Sequence, residues 1–252
     1  WLQRRFGTVE RMNEALGLRA WGWSAPSFAA VPQPRARTTE GSSRLPALHL
    51  LNRAFRRDVV AGFLREGAEG LRAAGVAAPL FSNWMTNWAT LADDPDCGGA
   101  HDLTGLNVYP LGPDREAYWR EHAWFLDAAR CAGGRNRFLV AETRIGVTGN
   151  VRMHDPFPSR AEFRLWMWGM AGFGAEGLVY WSGTRWHAGH WPHWGAMLGF
   201  DGRPEPDTAW IAELGEEVAR LGPALRAAPV AATAAVVTDH DGRNALEVYP
   251  HV

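Results

Sequence analysis

The plainest chemical signal in the chain is Arg-Phe-Leu-Val-Ala-Glu at residues 137 to 142. An apolar run of strand length that stops at a carboxylate reads as a buried parallel strand delivering one acid to the rim of an α/β fold. Such folds keep their chemistry in the loops at the carboxyl ends of the strands, so Glu142 is read as a catalytic carboxylate. A nearby Arg144 or Arg185 would help to keep it ionised. A second set of reactive side chains lies at His187, His190 and His193, spaced by three. Pro192 and the tryptophans between them point to a loop, whereas zinc ligands sit on rigid elements with supporting partners, so no metal is expected. Asp93, Asp94 and Asp96 before Cys97 read as solvated loop charges.

Tryptophan is the compositional outlier, with 14 among 252 residues. Six of them, Trp84, Trp88, Trp181, Trp186, Trp191 and Trp194, fall in or just after expected strand ends. Flat apolar rings carrying one donor suit the faces of sugar rings. The formal charge of −1 offers no footprint for nucleic acid, and no apolar run approaches the length of a membrane span. All 26 basic residues are arginine, read as coding bias rather than function. Two cysteines, Cys97 and Cys131, follow neither metal nor disulfide spacing, which favours a reducing, cytoplasmic setting.

These side chains need elements to hold them. Thr8 is expected to cap a short helix ending at Gly17, and residues 21 to 48 read as an irregular connection. Asn52 to Ala74 has helical spacing of apolar residues. A regular alternation follows. Strands are expected at Pro79–Met85, Leu103–Val108, Phe138–Ala141 and Gly177–Trp181, with helices at Arg115–Ala132, from Ser159 to Phe173, and at Asp207–Leu221, stopped by Gly222-Pro223. Strand–helix alternation of this kind builds parallel sheets. Four strands do not close a barrel of eight, so the pattern fits an open doubly wound sheet or half of a (β/α)8 barrel. No glycine-rich phosphate loop follows any strand. A fresh strand at Thr233–Thr238 marks residues 229–252 as the start of a second domain after 1–228.

Several ordered segments point further. Trp1 to Gly17, Ser82-Asn83-Trp84-Met85, Asp102 to Pro110 with its Asn-Val-Tyr-Pro ending, Val140-Ala141-Glu142, and Tyr180 to Arg203 together resemble the glycoside hydrolase family 42 β-galactosidases. The resemblance implies strands five to eight of a (β/α)8 TIM barrel and a retaining mechanism, with Glu142 on strand seven as nucleophile. It implies sugar-side roles for Tyr109 at the end of strand six, Asn83 on strand five, and Trp181 as an aromatic floor at the end of strand eight. The family's acid/base is a Glu in an Asn-Glu pair ending strand four, which is expected upstream of Trp1. The isolated chain is therefore expected to be inactive. The resemblance also implies a carbohydrate substrate, no cofactor, and a homotrimer formed through the domain that follows Pro229.

The chain departs from the pattern in the strand-eight loop. The family presents an Arg, a Glu and a His to the galactose hydroxyls; here Arg185 and His193 match, but His190 stands where the Glu is expected. A Trp about eight residues after the nucleophile is replaced in the region of Asn150-Val151. These changes leave room for another β-linked sugar, while a non-catalytic sugar-binding barrel is the reading from a different class.

Overall fold

A computed structural model describes residues 1–32, 46–85, 101–110, 115–132, 137–150, 153–155, 158–205, 208, 210–237 and 239–248. Trp88, Asp93, Asp94, Asp96, Cys97 and Val151 lie outside these. The chain divides into two compact units, one of Trp1–Phe63 with Ala235–Val252 and one of Leu64–Ala234.

The larger unit holds a four-stranded sheet, β1 (Asn83–Met85), β2 (Thr104–Asn107), β3 (Phe138–Arg144) and β6 (Ala175–Trp181), in that order and parallel throughout. Helix α4 (Arg115–Cys131) joins β2 to β3, and helix α5 (Arg160–Gly172) precedes β6. Phe138, Val140 and Leu106 face Leu126 and Ala129 of α4 and Phe163, Met167 and Met170 of α5 in one core. These are the positions that the apolar runs and helical spacing mark out, and their removal from water drives the layering. Ser159 starts α5 with a reciprocal capping box: its hydroxyl accepts from the Glu162 N–H while the Glu162 carboxylate accepts from the Ser159 N–H.

Glycine at 105 is a packing requirement. A Cβ there would lie 2.4 Å from the Ser82 carbonyl oxygen and 3.1 Å from the Ala141 Cβ, so only glycine lets β1 and β3 crowd the middle of β2. Strand β3 is also irregular: its pairing shifts against β2 after Val140 and against β6 between Val140 and Thr143. Regular alternation would send Glu142 to the same helix-facing side as Val140. A bulge of this kind re-aims one side chain, and here the re-aimed residue is Glu142.

Four elements differ from expectation. Strand β3 does not stop at Ala141 but runs through Glu142 to Arg144, because Thr143 and Arg144 are themselves buried. A two-stranded antiparallel hairpin, β4 (Thr148–Asn150) with β5 (Met153–Asp155), follows in a stretch to which the sequence reading assigned no element. Helix α6 spans Ile211–Ala227 and passes through Gly222-Pro223 rather than ending there. Its first turns are held by buried Leu214 and by ion pairs of Arg160 with Glu213 and Arg164 with Glu217, and its last turn is rich in good helix formers, so the local breaker is overridden. Residues 233–237 form no strand, and helix α7 (His240–Val248) follows.

The smaller unit begins with α1 (Leu2–Phe6) and α2 (Val9–Ala15), the latter capped by Thr8 as its spacing indicates. Asn13 is buried and clamps the backbone of Ala25 through both its amide groups, at 2.8 and 2.9 Å. The Asn-Glu dipeptide at 13 and 14 is thus part of a helix whose Asn serves the loop. Helix α3 (Pro46–Ala73) starts six residues earlier than its apolar spacing suggests, and Arg53 donates to Asn244 of α7 at 2.5 Å.

The tight approach at Gly105 sets a stability test. Gly105→Ala is expected to lower unfolding free energy by about 2–4 kcal/mol, because the Ser82 carbonyl it meets is backbone and cannot swing aside. Denaturant unfolding of variant and parent checks this, and a loss below about 0.5 kcal/mol would contradict the packing argument.

Candidate active site

Strand geometry brings three of the expected residues together. Val108 donates its backbone N–H to the Glu142 carbonyl at 2.8 Å, fixing the backbone of the bulged residue. The next residue, Tyr109, donates its hydroxyl to Glu142 Oε1 at 2.5 Å. Asn83, at the start of β1, directs Nδ2 toward Oε2 at 3.4 Å. One carboxylate therefore meets donors from the two strands preceding β3 in the sheet, each oxygen facing a different one. Hydrogen bonds to both oxygens fix the rotation of the carboxylate. Burial, followed by the hydrogen bond to Glu142 and its charge, pushes the Tyr109 phenol far above the usual tyrosine range. Tyr109 is thus a donor at any working pH.

Trp181 closes β6, and its peptide bond to Ser182 is cis. Gly177 lies against Leu139, so alternation places Trp181 on that face of the sheet, while Tyr180 packs against Phe163 of α5. The Trp181 ring stacks on Trp186 with centroids 6.0 Å apart and planes tilted by 32°. Together they form an aromatic ledge at the strand end.

The excursion from Ser182 to Thr208 carries the remaining candidates. Its neck is tied by backbone bonds from Met197 to Ser182, Leu198 to Gly183 and Arg185 to Leu198, all near 3.0 Å. Thr208 Oγ1 bonds the carbonyls of both Met197 and Glu205. Arg185 lies within this brace: Nε donates to Glu205 Oε1 at 2.6 Å and the guanidinium sits over Phe200. Arg144 is buried and donates to the carbonyls of Gly146 and Pro110 while lying over Trp166. Neither contact set is the counter-charge to Glu142 that the sequence suggests. His187 packs on Phe200, His190 stands edge-on to Trp191, and His190 and His193 are exposed on the loop. Among the described residues, no group of three His, Cys, Asp or Glu side chains is placed to hold a metal ion.

Two residues of this site escape the sequence reading in their roles. Glu205 pairs with Arg185 across twenty residues of loop, a separation at which no periodicity operates. Trp194 is buried and meets the Tyr109 ring edge-on at 5.6 Å. Its only sequence signal is its place in the tryptophan cluster. Chemically, the arrangement presents one oriented carboxylate beside an aromatic ledge, suited to attacking an electrophilic carbon of a flat-faced ligand.

The phenols give a titration test. Tyr180 is pushed up to about 12 by burial, and Tyr109 is raised further. Both are neutral in the fold above the pH near 10 where unfolded tyrosine ionises. The stability this adds is complete below about pH 10 and is lost as pH rises through the folded values. Absorbance titration of the chain's four tyrosines should show at least two lagging at pH 11, and one fewer in Tyr109→Phe. Uniform ionisation near pH 10 would contradict the burial of both.

Comparison with known proteins places this geometry in a family. The glycoside hydrolase family 42 model, described as β-galactosidase, matches residues 1–221. A β-galactosidase of Thermus thermophilus is 30% identical over 268 residues, spanning 99% of this chain and 40% of that protein. One from Halorubrum lacusprofundi is 29% identical over 264 residues, spanning all of this chain and 36% of its own length. The crystal structure of a polyextremophilic β-galactosidase from the same haloarchaeon superposes with a TM-score of 0.84 at 28% identity, over 100% of this chain and 38% of that one. The β-galactosidase from the psychrophilic Marinomonas ef1 gives 0.84 at 23% identity, over 99% and 40%. The chain thus spans about two fifths of the length of the relatives it matches. Its four-stranded parallel sheet is the α/β pattern of strands five to eight of a TIM barrel, and the chain belongs to glycoside hydrolase family 42, the β-galactosidase family.

Proposed function

We propose that this chain carries the nucleophile half of a retaining β-galactosidase site, with Glu142 as nucleophile. The observation that carries the reading is the Glu142 carboxylate held by Tyr109 and Asn83 at the strand ends. In a retaining double displacement, the carboxylate attacks the anomeric carbon as a second carboxyl protonates the departing glycosidic oxygen. The resulting glycosyl ester is then hydrolysed by water, which the second group deprotonates. The two carboxyls must stand roughly 5 Å apart. We assign the second one to sequence outside these 252 residues, in line with the family pattern that puts it on strand four.

In this reading Tyr109 donates its proton to Oε1, leaving for attack the Oε2 side, which among the described residues is met by the longer Asn83 contact. Trp181 supplies the floor under the sugar. His190, His193 and Arg185 belong to the loop that borders it, where a change of residue type alters which hydroxyls find partners. The substrate is a terminal β-linked galactoside, no cofactor takes part, and the trimer and cytoplasmic setting expected from the sequence complete the proposal. Among the described residues, no helix is long and apolar enough to cross a membrane.

The decisive experiment is Glu142→Gln in the full-length protein. Turnover of an aryl β-galactoside should fall at least about a hundredfold with the fold intact, since the replaced group forms the covalent intermediate. Residual activity above about a hundredth of the parent would sink the assignment. A second measurement concerns the chain alone: residues 1–252 in isolation should bind galactose analogues weakly and hydrolyse nothing. Retaining hydrolysis by the isolated chain would place the acid inside it.

A further inference from the structure

We propose that Trp194 is a positioning residue that aims Tyr109 at Glu142, an inference that rests on Glu142 being the nucleophile. Tyr109 is the first residue beyond β2 apart from Val108, and its hydroxyl must reach a carboxylate on a neighbouring strand at 2.5 Å. A phenol has two side-chain torsions, and its ring torsion is a broad well, so something must stop the ring from swinging. The Trp194 ring does so. It meets the Tyr109 ring at 87° with centroids 5.6 Å apart, the edge-to-face arrangement that aromatic pairs favour.

Trp194 is itself immobilised from three sides. Trp191 stands edge-on to it at 5.0 Å, and the Trp194 backbone N–H donates to the Trp191 carbonyl at 3.0 Å. Behind it, the Gly195 N–H donates to the Val147 carbonyl at 2.8 Å. Gly195 presses so closely on the turn after β3 that a Cβ would lie 2.7 Å from the Gly146 Cα and the Val147 nitrogen. The turn after the Glu142 strand therefore holds the loop residue that holds Tyr109, and Tyr109 holds Glu142, which closes a ring of contacts.

The indole nitrogen supplies a separate argument. Trp194 Nε1 is buried without a hydrogen-bond partner among the described residues. A buried tryptophan normally satisfies that donor, and leaving it unmet is unfavourable. A side chain chosen for its hydrogen bond would not sit this way; what Trp194 contributes is its ring. The nitrogen is also closed to solvent, and so to a sugar hydroxyl.

The test is a double-mutant cycle in the full-length enzyme, using Trp194→Leu, Trp194→Phe, Tyr109→Phe and the Leu double variant. Trp194→Leu should lower kcat about tenfold with KM within about twofold, as expected for losing an aromatic pair that acts on the reacting group. Trp194→Phe, which keeps an aromatic edge, should stay within about threefold of the parent. In the Tyr109→Phe background the Leu change should cost less than about twofold, because there is no hydroxyl left to aim. Equal cost in both backgrounds, an effect confined to KM, or Phe no better than Leu would each overturn the proposal. If Leu unfolds the enzyme, Trp194→Met serves in its place, filling similar volume without a ring. Glu142→Gln is measured alongside: retained activity there would sink the nucleophile reading, whereas the coupling between 109 and 194 is read independently of it.

Discussion

A carboxylate at a strand end can point to several places, and the value of Glu142 depends on its pointing to one. Tyr109 imposes that direction through a single hydrogen bond between neighbouring strands. Much of the larger unit is arranged so that this bond can form. Glycine at 105 lets the strands approach, the shift in pairing after Val140 turns the side chain, and the Val108 N–H anchors the carbonyl of the same residue. Burial keeps the phenol protonated, so the donor does not fail as pH changes. The core beneath, from Phe138 to Met170, has no polar duty of its own; it gives the strands a rigid bed.

The surrounding arginines show how geometry reassigns charge. Either Arg144 or Arg185 was expected to stand near Glu142. Arg144 instead satisfies two backbone carbonyls beneath the rim, and Arg185 closes a loop against Glu205. Buried guanidinium groups need several acceptors in a fixed fork, and carbonyls at turn ends provide them. Among the described residues, the donors that orient Glu142 are neutral ones, Tyr109 and Asn83.

Much of this was legible in the residues themselves. An apolar run ending in Glu142, the Asn-Val-Tyr-Pro ending and the Ser159 cap with Glu162 are local patterns, and local patterns survive folding because strand pairing and capping act over a few residues. Glu142 was marked by its place at a strand end, Tyr109 and Asn83 by the family resemblance, and the fold brings the three together. The bulge in β3 was not legible, since it is a relation between strands whose paired residues, such as Leu106 with Val140 and Asn107 with Glu142, lie far apart in sequence, and it leaves no mark on either strand alone. Helix α6 running through Pro223 was misread for a related reason: a breaker is a local signal, while the ion pairs and burial that overrule it belong to the packing of α5. Glu205 and Trp194 act across loop closure, where residue type without distance says little.

The excursion after β6 separates a neck from a tip. Ser182 to Arg185 and Met197 to Thr208 are laced by backbone bonds and the Arg185–Glu205 pair, whereas residues 186 to 190 and His193 stand exposed beyond them. Exposed side chains on a closed neck can be exchanged at little cost to folding, because few of their contacts are shared with the core. The tip is thus a region where sequence can drift while the carboxylate and its donors stay put. His190, at the position where the family resemblance leads to the expectation of a Glu, stands on that exposed tip, apart from the strand ends that orient Glu142.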